Sequence, residues 1–398
     1  MTSSSLRILF VSHAYVVGVN QGKLQAIAQT GKACVGLLTP SNWKALEWNR
    51  LLPLERLYSN IKTYSAPVLF PGRGGAHIYA PWKIWHFLND FQPDLVQVEE
   101  EVFSLSTLQL AIWSRLTGKP IVVFGWENME RRLPILRRWI CQFVLKTAPL
   151  IIAGNQDGAK VLRQWGYTGL IEVMPQMGVD TRLFAPKKPQ ARNDEFRIGF
   201  LGRLVPQKGI DTIFAAARQL RERKLKCRII ICGLGPGEAD LREEAEKQQV
   251  ADLVTWRGRV PHDKAPEEIS NFDVLVLPSR TVPTWKEQFG HVLIEAMAMG
   301  VPVVGSDSGE IPNVIGRPDL VFSEGDAQAL FTILERMIRE PMWWEEVGRY
   351  GITRVHQHYT HERIAERLLE LWQSLLNSHL DKSESNSPLH RENPPARV

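Results

Sequence analysis

Residues 197–224 read RIGFL-GRLVPQKG-IDTIFAAARQLRERK. A short apolar run, Arg197–Leu201, meets a glycine-bounded turn, Gly202–Gly209. From Ile210 to about Lys224 apolar residues then recur at helical spacing. Strand, tight turn and helix make one half of a βαβ unit, and the same alternation runs through nearly the whole chain. Strands are predicted at Arg7–Val11, Cys34–Leu38, Leu95–Val98, Ile121–Phe124 and Leu150–Ala153, then at Arg197–Leu201, Arg228–Cys232, Val274–Leu277 and Val301–Gly305. Such runs, apolar without alternation, belong to parallel strands covered on both faces.

Between the two groups lies the polar segment 185–194, APKKPQARND, whose two prolines mark a solvated linker. The chain therefore divides into a first doubly wound domain over 1–184, the linker 185–194 and a second domain over 195–358. An amphipathic helix is predicted over 359–377, from Ile364, Leu368, Leu371, Trp372 and Leu375. Residues 378–398, rich in Ser, Asn, Pro and charge, read as a disordered tail. Ligands of such sheets sit beyond the carboxyl ends of the strands, where strand order reverses.

A length of 398 residues with 44% hydrophobic and 23% charged side chains excludes wholesale disorder. No apolar run reaches the roughly 18–20 residues of a membrane span, and Met1–Phe10 is too short for a signal peptide. Cys34, Cys141, Cys227 and Cys232 form no metal spacing, so free thiols, a reducing cytoplasmic setting and no metal are expected. The net charge of +5 hides a +7 excess within residues 1–175. RNP aromatics, zinc-finger spacing and a helix-turn-helix pattern are all lacking, so nucleic acid is not an expected partner. The densest basic run, Arg131, Arg132, Arg137, Arg138 and Lys146, is laced with Leu136, Trp139, Ile140, Phe143 and Val144. Read as a helix after Pro134, it suits either a core-packed helix or a patch docking peripherally on an anionic membrane.

The turn Gly202–Gly209 exposes backbone N–H groups at a helix start and carries Arg203 and Lys208, five residues apart and able to face one anion. It lacks the spacing of a P-loop or of G-x-G-x-x-G. A second stretch, Glu287-Gln-Phe-Gly-His-Val-Leu-Ile-Glu295-Ala-Met-Ala-Met-Gly300-Val-Pro302, places a helix over Gly290–Met299. Eight residues at about 1.5 Å each put the carboxylates of Glu287 and Glu295 on the order of 12 Å apart. That matches a ligand with a sugar at one end, a pyrophosphate in the middle and a ribose at the other. The amides of Phe289 and Gly290 would meet the phosphates. Glu295, between Ile294 and Ala296, needs a partner if it is not solvated.

Together these motifs, with Cys232-Gly-Leu-Gly-Pro-Gly237, Arg257-Gly258-Arg-Val260, Pro278-Ser279 and Ser308-Gly309-Glu310-Ile311-Pro312, resemble the retaining nucleotide-sugar glycosyltransferases of family 4. The resemblance spans about residues 170–320. It implies an α/β GT-B fold: two doubly wound, Rossmann-like domains facing a cleft, with a C-terminal helix crossing back to the first. It implies that Arg203 and Lys208 hold the donor diphosphate, Glu287 the donor sugar and Glu295 the ribose, with the Arg257–Val260 loop at the base. Gly18, Gly202, Gly233, Phe289 and Gly290 would complete the donor site. No side-chain nucleophile and no metal are implied; the co-substrate would be a UDP- or GDP-sugar and the acceptor a glycan or lipid-linked hydroxyl.

The first domain departs from the family pattern. Gly18-Val19-Asn20-Gln21 keeps the first of two glycines often found after the first strand. Where many members have a histidine after Ile121–Phe124, this chain has Gly125-Trp126-Glu127-Asn128. Glu127 or Asn128 would take the acceptor-side role, or the loop is structural. Glu99-Glu100-Glu101 reads as a solvated edge, and His13 as a lone structural histidine. A sugar-nucleotide epimerase and a degenerate nucleotide-sugar-binding scaffold remain alternatives to an active transferase.

Overall fold

The computed structural model describes residues 5–45, 50–186 and 194–385, with side chains to residue 378. In the first domain the strands are β1 (Leu6–Val11), β2 (Ala33–Pro40), the hairpin β3 (Asn42–Ala45) and β4 (Arg50–Pro53), and β5 (Lys62–Ala66). After the short pair β6 (Val68–Leu69) and β7 (Ile78–Tyr79) come β8 (Leu95–Glu99), β9 (Ile121–Gly125), β10 (Leu150–Ala153) and β11 (Leu170–Val173). Seven of these form one parallel sheet in the order β11-β10-β9-β8-β1-β2-β5. The second domain holds β12 (Phe196–Leu201), β13 (Cys227–Cys232), β14 (Val254–Gly258), β15 (Val274–Leu277), β16 (Val303–Ser306) and β17 (Val321–Phe322), ordered β14-β13-β12-β15-β16-β17.

In both sheets the chain first winds outward on one side and then returns to the other side of its first strand. The order therefore reverses between β1 and β8, and again between β12 and β15. Crevices for ligands form at these points. They are bordered by Ser12–Gly18 and Glu99–Glu101 in one domain, and by Gly202–Lys208 and Pro278–Gly290 in the other.

Several expectations change. The last helix runs His361–Ser385, eight residues past 377, so residues 378–385 are helical where a disordered tail was expected. No Gly or Pro interrupts that stretch, and the Ser378 hydroxyl donates to the Ser374 carbonyl. Residues 386–398 lie outside the described residues, as do 187–193 of the expected linker. The helix packs Ile364, Leu368, Leu369 and Trp372 into one core with Ile8, Phe10, Leu24 and Phe124 of the first domain. Trp372 is fully buried and donates its indole N–H to Gln97 Oε1 at 2.9 Å.

Glu99, Glu100 and Glu101 are not a solvated edge. Glu99 is buried and accepts from Lys23 Nζ (2.5 Å), Gln97 (2.7 Å), Gln176 (3.0 Å) and the Tyr15 hydroxyl. A carboxylate so enclosed persists only because its lone pairs are all satisfied. Glu101 accepts the Trp126 N–H at 2.8 Å, yet burial still pushes its carboxyl up to about 7.

Candidate active site

At the second switch point Lys208 and Glu287, 79 residues apart, meet. Lys208 Nζ lies 2.5 Å from Glu287 Oε2, and the Ser279 hydroxyl donates to the same oxygen at 2.8 Å. Two glycines permit this closeness. Gly209 has φ +62, and a Cβ there would stand 2.1 Å from the Pro278 carbonyl oxygen; Gly309 has φ +56, and its Cβ would stand 1.9 Å from the carbonyl oxygen of Glu287 itself. The backbone carrying Lys208 thus lies against the strand end that carries Ser279, and Glu287 is clasped from the other side. Lys208 also sits 5.0 Å over the Trp285 ring.

The eight residues from Glu287 to Glu295 do not run along a helix, which corrects the spacing argument. The helix covers only His291–Ala298, after Gly290 turns the chain at φ +81, and Glu287 lies in the segment before it. The N–H groups of Phe289 and Gly290 donate to no group among the described residues, at the positive end of that helix. Glu295 finds its partner in His262, Nε2 3.4 Å away, and that hydrogen bond raises the His262 pKa. Neither His262 nor the half-buried His291, whose pKa desolvation lowers, was singled out from sequence. His291 could have been found as the first helical residue after Gly290; His262 has no local signal.

Other expected donor residues are placed differently. The N–H groups of Gly202 and Gly233 extend the sheet, donating to Cys232 and Gly258 carbonyls at 2.9 and 2.8 Å, so neither points at a ligand. Arg203 is exposed on the turn. Arg257, exposed at the end of β14, has its Nε 3.4 Å from Glu268, and Val260 follows half-buried. Gly18 lies in the first domain, where its N–H donates to Glu55 Oε2 at 2.7 Å and Leu57 covers its α-carbon. No described hydrogen bond joins it to Lys208 or Glu287.

Across the crevice the loop after β9 contacts the Glu287 segment directly. Asn128 is buried and its amide reaches the carbonyls of Lys286 (3.5 Å) and Glu287 (3.4 Å). Gln288 donates to the Trp126 carbonyl at 3.1 Å, and Asn155 to the Gln288 carbonyl at 3.1 Å. Glu127 instead turns toward Arg131, 2.9 Å away, and the Met129 amide. Of the two acceptor-side candidates, the structure brings only Asn128 to Glu287. His13 is not alone either: Glu100 and His77 stand beside it.

Two parallel-sheet domains with facing switch points define the GT-B class of α/β protein. Solved structures share that fold: sucrose-phosphate synthase from Thermosynechococcus elongatus superposes with a TM-score of 0.70 at 20% identity, over 94% of this chain and 100% of that one. Anabaena HepE in complex with UDP gives 0.68 at 19% identity, over 93% and 100%. Residues 181–354, a little under half of the chain, match the family "Glycosyl transferases group 1". A "GDP-mannose-dependent alpha-(1-6)-phosphatidylinositol monomannoside mannosyltransferase" of Mycobacterium tuberculosis is 33% identical over 220 residues, 52% of this chain and 57% of that protein. The "Putative colanic acid biosynthesis glycosyltransferase WcaL" of Salmonella typhimurium is 30% identical over 65% of each chain. The chain thus spans a little over half the length of the first of these curated relatives.

Proposed function

We propose that the protein is a metal-independent, retaining glycosyltransferase that moves a sugar from a nucleotide diphospho-sugar to a glycan or lipid-linked hydroxyl. The observation that carries this reading is the Lys208–Glu287 pair at the second switch point, held against Asn128 of the opposite domain. Breaking the sugar–phosphate bond leaves negative charge on the β-phosphate. Lys208 and Arg203, as fixed cations, stabilise that charge, together with the amides of Phe289 and Gly290. The departing phosphate oxygen takes the acceptor hydroxyl proton on the face it leaves, so the new bond keeps the configuration of the old one. Glu287 positions the sugar hydroxyls, Glu295 with His262 the ribose, and Asn128 holds the acceptor-side loop over the sugar.

The acceptor side supports work at the cytoplasmic face of a membrane. The Ile135–Thr147 helix buries Ile140, Cys141, Val144 and Leu145, yet Ile135, Leu136 and Trp139 are 90, 67 and 61% exposed. Arg131, Arg132 and Arg138 surround them, a mixture suited to an anionic headgroup layer. Arg137 turns inward instead, 5.6 Å over the Phe103 ring. No helix among the described residues is long and apolar enough to cross a membrane.

The test is a screen of GDP-, UDP- and ADP-sugars for binding and slow hydrolysis with and without EDTA. GDP-mannose comes first because the mycobacterial relative is named for it. Donor binding that survives EDTA, with slow hydrolysis to free sugar, supports the reading. An epimerised sugar nucleotide formed without acceptor points to the epimerase, and a strict divalent-metal requirement for donor binding overturns the mechanism.

A further inference from the structure

Three side chains from separate parts of the first domain converge beside its switch point. His13 follows β1, Glu100 follows β8, and His77 immediately precedes β7. His13 Nδ1 is 2.6 Å and His77 Nε2 3.5 Å from the same oxygen, Glu100 Oε1, and one ligand-type atom from each lies within 4.8 Å of the others. The side chains of His77 and Glu100 are 0 and 2% exposed.

The other ring nitrogen of His77 fixes what Nε2 can do. Nδ1 lies 2.9 Å from the Gly74 carbonyl oxygen, which can only accept, so Nδ1 carries the proton of the neutral ring. Nε2 is then a bare lone pair. It points at a carboxylate, a second acceptor, and has no hydrogen-bond partner among the described residues. Glu100 Oε1 already accepts from the His13 backbone N–H at 2.8 Å and meets His13 Nδ1 at 2.6 Å, so the unsatisfied atom of the cluster is His77 Nε2. The hydroxyl of Tyr79, whose ring packs edge-on to His77 at 5.8 Å, is likewise buried without a partner.

We propose that His13, His77 and Glu100 bind a divalent transition-metal ion of the zinc type. Two imidazoles and one carboxylate are a zinc donor set, and three protein ligands leave a fourth position for water. With bonds of 2.0–2.2 Å, tetrahedral ligand atoms stand about 3.3 Å apart. The His77–Glu100 separation already suits this. The His13–Glu100 contact opens by about 0.7 Å, a small ring movement for a side chain 30% exposed. The Nδ1 bond from His77 to the Gly74 carbonyl is the orienting contact that metal-binding histidines make with their second nitrogen. Trp43 stacks on His13 at 4.3 Å and meets His77 edge-on at 5.1 Å, walling one side. The ion would tie together the exits of β1 and β8 and the segment before β7. The proposal rests on this cluster and not on the transferase reading, and donor binding stays independent of the ion.

The experiment uses the full chain, stripped with EDTA and titrated with Zn²⁺ against a chromophoric chelator. The wild type should take up one tightly held Zn²⁺, with affinity falling at least 100-fold in His77→Ala and in His13→Ala. Zn²⁺ should raise the melting temperature of the wild type and not of either variant. Co²⁺ in place of Zn²⁺ should give visible bands of nitrogen and oxygen ligation. Equal Zn²⁺ uptake by wild type and variants, a thiolate-to-cobalt charge-transfer band, or no uptake by the wild type overturns the proposal. If His77→Ala does not fold, the partly exposed His13→Ala decides alone.

Discussion

Substitutions at the two ends of the Lys208–Glu287 pair should shift nucleotide affinity in opposite directions. In the free protein the Lys208 ammonium is neutralised by Glu287, which is only 7% exposed and also accepts from Ser279. Lys208→Ala removes a charged hydrogen bond to the diphosphate, worth about 1.5–3 kcal/mol, or roughly 10- to 150-fold in affinity. It also strands the buried Glu287 carboxylate beside the incoming phosphates, which pushes the loss toward the upper end. Glu287→Gln keeps an acceptor for the Ser279 hydroxyl and releases the charge of Lys208. Nucleoside diphosphate should then bind as well as to the wild type, or up to about ten-fold tighter, while transfer falls by about 100-fold or more. The double variant should bind more tightly than Lys208→Ala alone, because the stranded carboxylate is gone. Calorimetric titration with UDP and GDP, beside a transfer assay with the active donor, reads all three. Equal losses of nucleotide affinity in both single variants would reduce the pair to a structural contact. Full transfer by a folded Glu287→Gln enzyme would refute its role at the sugar.

Glu101 has a folded-state pKa raised to about 7, so its contribution to stability is complete below the unfolded value near 4.5 and is lost as pH rises through 7. Glu101→Gln should therefore melt like the wild type near pH 4.5 and be more stable at pH 8, by up to about 3 kcal/mol; a difference that does not change with pH counts against this. Trp372→Ala should cost about 3–5 kcal/mol in urea unfolding of the first domain; a negligible change would show that the last helix is not part of that core. The wild type should pellet with anionic but not neutral vesicles at low salt. Reversing Arg132 and Arg138 should release it, at about 1 kcal/mol lost per neutralised basic contact; no pelleting of the wild type removes the membrane reading and leaves the donor site untouched.

The strands foreseen from sequence and those missed differ in one physical respect. Leu150–Ala153 and Val274–Leu277 are entirely buried and read as continuous apolar runs. The four sheet strands not foreseen, β5, β11, β14 and β17, are the four edges. An edge strand is half-solvated, so sequences such as KTYSA and VTWRG carry no apolar run. The candidate site divides similarly. Lys208 and Glu287 were legible because each lies in a local motif, but that they touch was not. Glu99–Glu101 read as a solvated edge because Lys23, His13, His77 and Gln176, which enclose them, are scattered between 23 and 87 residues away.

The helix that begins at His361 gives the protein an unusual order of assembly. The second domain's core draws its residues from 179–355, one unbroken stretch. One of the first domain's two cores waits for Ile364, Leu368, Leu369, Trp372 and Leu375. During synthesis the second half can therefore reach its native packing while the first, though made earlier, still lacks one wall. Until that helix emerges, Ile8, Phe10, Leu24 and Phe124 present an open apolar face, the kind of surface that recruits chaperones and seeds aggregation. Stalled or shortened chains ending near residue 360 should accordingly be cleared by proteolysis through their first domain, with the second surviving as a folded fragment.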